Sequence, residues 1–95
     1  EEFLEDAAAY IRDIENGIQE GDVEKIRSGS HPLKSNSKSF GLITVSEIAE
    51  KIYTSAETDA PVVTIKNAQA LILPLKQAFN IGEQRLKREF NLRYK

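Results

Sequence analysis

The residues of this chain best suited to chemistry are His31 and the polar side chains that follow it. His31 is the only histidine among 95 residues. An imidazole in water is mostly neutral at physiological pH, so one ring nitrogen is a nucleophile that needs no dedicated base. Lys34 follows one helical turn later, where its ammonium can stabilise the oxygens of an anionic group on the ring. The pair is compatible with in-line attack on an anionic centre such as a phosphoryl group, and a bystander histidine is the alternative; Lys38 could add to the stabilisation of such a group or be a solvated surface lysine.

The residues around His31 predict that its side chain is accessible. At about 100° per residue, Ile26, Leu33 and Phe40 fall on the helix face opposite His31, so we expect the imidazole to point to solvent. A metal site is disfavoured because the chain has no second histidine and no cysteine. Small residues nearby should keep the surface low enough for another domain to approach: Ser28, Gly29, Ser30, Ser35 and Ser37.

Charge is distributed unevenly along a chain whose formal net charge is −2. Residues 1–24 are strongly acidic, with Arg12 as the sole base. Residues 25–38 contain four bases and no acid: Lys25, Arg27, Lys34 and Lys38. The segment therefore predicts a local positive field around His31 that suits an anion, and a solvated basic helix face is the alternative.

Composition argues against several classes of protein. Without cysteine, neither a disulfide framework nor a thiolate metal site is possible, and we predict no metal and no cofactor. No apolar run approaches the length of a membrane span, and no signal-peptide pattern opens the chain. The acidic balance argues against general nucleic-acid binding. We therefore expect a cytoplasmic protein that contacts neither nucleic acid nor membrane.

The spacing of apolar residues predicts an all-α protein that begins with two helices. Residues 4–18 carry apolar side chains at three- and four-residue intervals, which is typical of an amphipathic helix. Gly21 is expected to stop this helix and Asp22 to cap the next one, over about 22–40. Gly41 should end the second helix in a conformation that glycine adopts at little cost.

Two further helices are expected from residue 44 onward. Thr44 and Glu47 have the spacing of a capping box at the start of the third helix, and Pro61 fits the first turn of the fourth, after a break at 57–61. The fourth segment is too long for the bundle, so it either breaks at 80–82 or projects its basic end, which includes Arg85 and Lys95. Short connections favour one antiparallel up-down four-helix bundle over 1–95. Its fourth helix should bury Ile65, Ala68, Ile72, Leu75, Phe79, Leu86 and Phe90.

The segment around His31 resembles the signature of histidine-containing phosphotransfer (HPt) domains. That signature places a hydrophobic residue two positions after the histidine, lysine three after it and glycine ten after it, as Leu33, Lys34 and Gly41 stand here. The resemblance implies a four-helix bundle that accepts a phosphoryl group from the aspartyl phosphate of one receiver domain and passes it to another. It also implies that the receiver supplies the Mg²⁺ and the catalytic groups, so the chain would not catalyse a reaction by itself.

Three positions depart from the family pattern. Ser35 stands where glycine is usual. Its hydroxyl could hydrogen-bond the phosphoryl group, or the residue could be tolerated there because it is small. Pro32 lies inside the presumed helix, so we predict a kink there, or a helix that ends near Ser28 and restarts at Pro32. Tyr53 stands where Glu or Gln commonly orients the imidazole, and either its ring or its hydroxyl could contact His31.

Two other functions remain open at this point. The domain could be phosphorylated directly by an ATP-dependent histidine kinase, or it could be a helical adaptor in which His31 does nothing. The lack of methionine and the long last helix favour a piece of a hybrid histidine kinase. For the receiver-docking surface, the candidates from the first helix are Ala8, Ile11 and Glu15.

Overall fold

The computed structural model describes residues 2–57 and 60–93, and this part of the chain folds into four helices without a strand. The all-α prediction is confirmed. Residues 58 and 59 of the predicted break, and Lys95 of the basic end, lie outside the described residues. The helices are α1 (Glu2–Glu20), α2 (Val23–Ser39), α3 (Ile43–Ser55) and α4 (Pro61–Arg93).

The turns between helices arise largely as their residue types predict. Gly21 has φ 68° and Gly41 has φ 78°, a left-handed conformation that glycine adopts without a steric penalty. The Asp22 carboxylate caps α2 by accepting hydrogen bonds from the backbone N–H groups of Glu24 and Lys25. These two tight turns reverse the chain, so α2 runs antiparallel to α1 and α3 to α2. The fourth helix runs antiparallel to α3, because Thr64 near its start donates a hydrogen bond to the Ser55 carbonyl and Arg85 donates one to the Gly41 carbonyl.

The core of the bundle is formed by one apolar stripe from each helix. Ile14, Ile26, Ile52 and Leu75 are each fully buried, one from each of α1 to α4. The stripe predicted for α1 lies inside, with Ile18 partly buried at its end. This burial holds α2 in place with its opposite face toward solvent.

The last helix continues without the predicted break at residues 80–82. Gly82 is buried, and a Cβ there would lie 2.6 Å from the Leu42 side chain. The Arg85 guanidinium donates a hydrogen bond to the Gly41 carbonyl (3.1 Å), at the end of the bundle where α2 turns into α3. The helix therefore projects past this turn, and it accounts for the 49 Å length of the molecule.

Three expectations about individual residues are wrong. Thr44 does not cap α3; Leu42 is the N-cap residue and provides no side-chain hydrogen bond, because the helix begins two residues earlier than the capping-box pattern predicts. Phe40 is 48% exposed because it follows the last turn of α2, where its ring stacks on Phe3 with centroids 4.2 Å apart. Phe90 is also 48% exposed, because it lies on the projecting part of α4.

Candidate functional site

His31 lies on the solvent-exposed face of α2, beside α3. Its side chain is exposed, while Leu33, two residues later, is fully buried in the core. The Tyr53 ring of α3 packs next to the imidazole, with centroids 4.9 Å apart and planes inclined by 39°. Among the described residues, the Tyr53 hydroxyl makes no hydrogen bond to His31, so the contact is between the two rings. The imidazole is thus packed against α3 while His31 as a residue remains exposed.

The helix that carries His31 is continuous across Pro32. It runs without interruption from Val23 to Ser39, so the predicted end near Ser28 with a restart at Pro32 is wrong. Buried residues on both sides of the proline, Gly29 and Leu33, hold α2 against its neighbours, and this packing keeps the helix together despite the missing N–H. His31 therefore keeps a helical relation to Lys34.

The Lys34 side chain points toward α3, where it forms an ion pair. Its ammonium nitrogen lies 3.1 Å from Oε1 of Glu50, in an ion pair between two half-exposed side chains. Along the antiparallel pair of helices, Lys34 and Glu50 lie one turn from His31 and Tyr53. The site thus consists of two adjacent cross-helix contacts, one aromatic and one ionic.

The positive field predicted around His31 is largely neutralised. Lys25 pairs with Glu20 at 2.7 Å, Arg27 pairs with Glu24, and Lys34 pairs with Glu50. The hydrogen bond to Glu20 raises the pKa of Lys25 above 10.5. These carboxylates come from α1, α2 and α3, so only folding brings two of them beside the basic segment. Within residues 2–57 and 60–93, Lys38 is the base of this segment that makes no ion pair.

The small residues near His31 have two different roles. Ser28 and Ser35 are exposed on the same side as the histidine, as expected for a low surface. Gly29, Ser30 and Ser37 are buried instead. The prediction that all five shape the docking surface is therefore wrong for these three, because they face the neighbouring helices.

The close contact of α1 with α2 depends on Gly29. A Cβ at this position would lie 2.6 Å from the Tyr10 carbonyl oxygen, a backbone atom, and 2.9 Å from Cγ1 of Ile14. Close contact of these backbones requires a residue without a side chain. Gly29 thus sets the distance from α1 to the helix that carries His31.

Two side-chain contacts that the sequence did not indicate hold α2 against α3. The Ser46 hydroxyl donates a hydrogen bond to the Lys34 carbonyl oxygen at 2.9 Å. The Arg27 guanidinium donates one to the carbonyl of Ala56, the C-cap residue of α3. The sequence does not indicate such contacts, because each acceptor is a backbone carbonyl far along the chain and any residue type could provide it.

The residues expected to contribute a docking surface from α1 lie on another side of the molecule. Ala8, Ile11 and Glu15 line a groove between α1 and α4, and the Glu15 carboxylate pairs with Lys76 at 2.9 Å. Ile11 is buried. The face of α1 that borders α2 at Gly29 carries Tyr10 and Asp13 instead, and the receiver-docking role of Ala8, Ile11 and Glu15 stays a prediction.

No group of three or more His, Asp or Glu residues in the described part of the chain is arranged to hold a metal ion. No helix among the described residues is long and apolar enough to cross a membrane.

The family model "Hpt domain" matches residues 1–81 of this chain. The matched region ends within α4, just before Gly82, and includes His31, Lys34 and Tyr53. Comparison with curated proteins found no significant match, and neither did comparison with solved structures.

Proposed function

The chain belongs to the Hpt domain family, whose members carry out histidine phosphotransfer in two-component signalling, and on this premise we propose that it is a phosphorelay intermediate. Hpt domains are phosphotransfer modules that interact with receiver domains. The proposal is that His31 accepts a phosphoryl group from a receiver aspartyl phosphate and passes it to the aspartate of another receiver. The observation that carries it is the exposed His31 on a face of α2 whose opposite side is buried.

The proposed transfer requires little of this chain beyond position. The lone pair of the unprotonated ring nitrogen forms the N–P bond as the P–O bond to the receiver aspartate breaks, and the carboxylate leaves with that electron pair. The other ring nitrogen keeps its hydrogen. Such a transfer depends on an accessible, aligned nucleophile more than on acid–base groups. The receiver would hold Mg²⁺, which stabilises charge on the transferring phosphoryl oxygens.

Each neighbour of His31 has a proposed role in this transfer. The Tyr53 ring, in contact with the imidazole, limits rotation of the nucleophile. Lys34, about 4.5 Å further along the helix axis, supplies an ammonium for the phosphoryl oxygens. Ser35 is exposed beside the site and serves mainly as a small residue, while Lys38, about 10.5 Å away along the axis, interacts with the receiver or with the group at longer range.

The proposal includes the setting of the domain. We place the relay in the cytoplasm, with receiver domains as its partners and a hybrid histidine kinase as the protein to which the domain belongs. We further propose that residues 1–95 form one domain. No cofactor of its own is assigned to the chain.

The test is phosphorylation of this chain by a phosphorylated receiver domain with Mg²⁺, measured by intact-mass analysis. Because His31 is the only histidine, one acid-labile, base-stable phosphoryl group that is absent from His31→Gln would support the proposal. Label only with a histidine kinase and ATP would instead favour direct phosphorylation by a kinase. No label from several receivers or from the kinase would leave the helical adaptor as the better hypothesis.

A further inference from the structure

The ion pair between Lys34 and Glu50 has a consequence for phosphotransfer. Lys34 follows His31 by one turn, and helical side chains lean toward the N-terminus, over the preceding turn. A lysine at this position can therefore reach toward a group on His31. Its ammonium is nevertheless bound to the carboxylate of Glu50 on α3, 3.1 Å away.

We propose that Glu50 competes with the phosphoryl group for the Lys34 ammonium and thereby limits the stability of phosphorylated His31. The inference rests on the proposed function and assigns a role to a carboxylate that the HPt signature does not include. Glu50 acts through Lys34, so it is a positioning residue. In the free domain it holds the ammonium one turn from the imidazole; after transfer it draws that ammonium away from the phosphoryl oxygens.

Charge and exposure determine the size of this competition. A phosphoryl group carries close to two negative charges, whereas the Glu50 carboxylate carries one. We therefore expect the Lys34 ammonium to divide its time between the two groups. Both partners of the existing pair are partly solvated, with side-chain exposures of 35% for Lys34 and 55% for Glu50. Interactions of this exposed kind are modest, and they are screened by salt. Glu50 is therefore expected to adjust the transfer equilibrium and not to block transfer.

A less stable phosphohistidine suits a relay, because His31 must pass on the phosphoryl group that it accepts. If Lys34 bound the phosphoryl group without competition, the phosphohistidine would be stabilised and transfer to the next aspartate would be less favourable. A neighbouring carboxylate moves the equilibrium back toward the receiver. Both directions of transfer then remain accessible.

The experiment measures the equilibrium fraction of phosphorylated His31 after mixing the full chain with a phosphorylated receiver domain and Mg²⁺. The variant is Glu50→Gln, which removes the charge and keeps the shape. Glu47→Gln is the matched control, because Glu47 is exposed one turn earlier on α3 and, within the described residues, makes no ion pair. Glu50→Ala serves as a second variant, and far-UV circular dichroism with thermal unfolding verifies that each protein is folded.

We expect Glu50→Gln to raise the equilibrium constant toward phosphohistidine about two- to fivefold, the range of coupling in exposed ion pairs. Glu47→Gln should stay near the wild-type value. This rise in the equilibrium constant should be smaller when Lys34 is also replaced by Gln. It should also become smaller as the salt concentration increases from about 0.01 M to about 1 M. A purely structural role of Glu50 would predict neither change.

The possible outcomes separate this inference from the proposed function. If the wild-type chain is never phosphorylated, the proposed function fails and the inference fails with it. If the wild type is phosphorylated but Glu50→Gln matches wild type or Glu47→Gln, only the inference is overturned. A lower phosphohistidine fraction in Glu50→Gln also overturns it, because Glu50 would then hold Lys34 in the productive position.

Discussion

Substitution of Gly29 by alanine should destabilise the protein, because α1 packs closely against α2 at this glycine. The added Cβ would lie 2.6 Å from the Tyr10 carbonyl oxygen, 2.9 Å from Cγ1 of Ile14 and 3.2 Å from Cβ of Asp13. Ile14 can change rotamer, but the Tyr10 oxygen belongs to the backbone of α1. Relief of that clash requires the two helices to move apart, which loosens the packing of both.

Two opposing terms set the expected magnitude. Overpacking of a well-packed contact costs about 1–3 kcal/mol, and a clash with backbone belongs at the upper end of that range. Alanine inside a helix is favoured over glycine by about 1 kcal/mol, which acts in the opposite direction. The free energy of unfolding should therefore fall by about 2 kcal/mol. For a domain of this size, Tm should fall by about 8–16 °C.

The assay is thermal unfolding followed by circular dichroism, with Ser28→Ala as the matched control. Ser28 is adjacent and exposed, so its substitution should change the free energy of unfolding by no more than about 0.5 kcal/mol. A Tm for Gly29→Ala equal to or above wild type would refute the packing argument. If phosphotransfer were lost at unchanged stability, Gly29 would belong to the docking surface that the sequence predicted.

Two other predictions address single side chains. Tyr53→Phe keeps the ring that contacts His31, so the transfer rate from a phosphorylated receiver should stay near wild type. Tyr53→Leu should slow transfer about two- to tenfold, as expected from loss of an aromatic contact. Slow transfer in Tyr53→Phe would assign the role to the hydroxyl. Ser37→Ala should raise the free energy of unfolding by about 1 kcal/mol, because the buried Ser37 hydroxyl has no hydrogen-bond partner among the described residues; a drop in Tm in calorimetry would show that the hydroxyl is satisfied in solution.

Much of the fold could be predicted because helix periodicity and termini are local properties. Apolar residues at three- and four-residue intervals define the buried stripes, and Gly21 with Asp22 marks the first turn without reference to the rest of the chain. The errors occur where tertiary packing decides. Thr44 had the right neighbours for a cap, yet α3 starts at Ile43, and α4 continues through Gly82 because that glycine packs on Leu42.

The candidate site divides in the same way. The exposure of His31 and the burial of Leu33 follow from the helical wheel, and both are observed. The burial of Gly29 follows from the same wheel, which puts it on the side of Leu33, and the docking-surface prediction was wrong there because it relied on closeness to His31 along the chain. The ion pair of Lys34 could not be predicted, because Glu50 reaches the basic segment only through folding, whereas Arg27 and Glu24 form an i,i+3 pair within α2.

The sequence by itself determined the helical class, the family resemblance and the histidine on a solvent-facing helix, because these depend on residue types at short spacing. Only the tertiary structure decided which groups surround that histidine. Tyr53 and Glu50 lie more than a dozen residues from His31 and Lys34 along the chain, and they become neighbours because α3 folds back antiparallel to α2. The physical reason is that contacts between helices depend on their relative rotation and distance, which core packing sets.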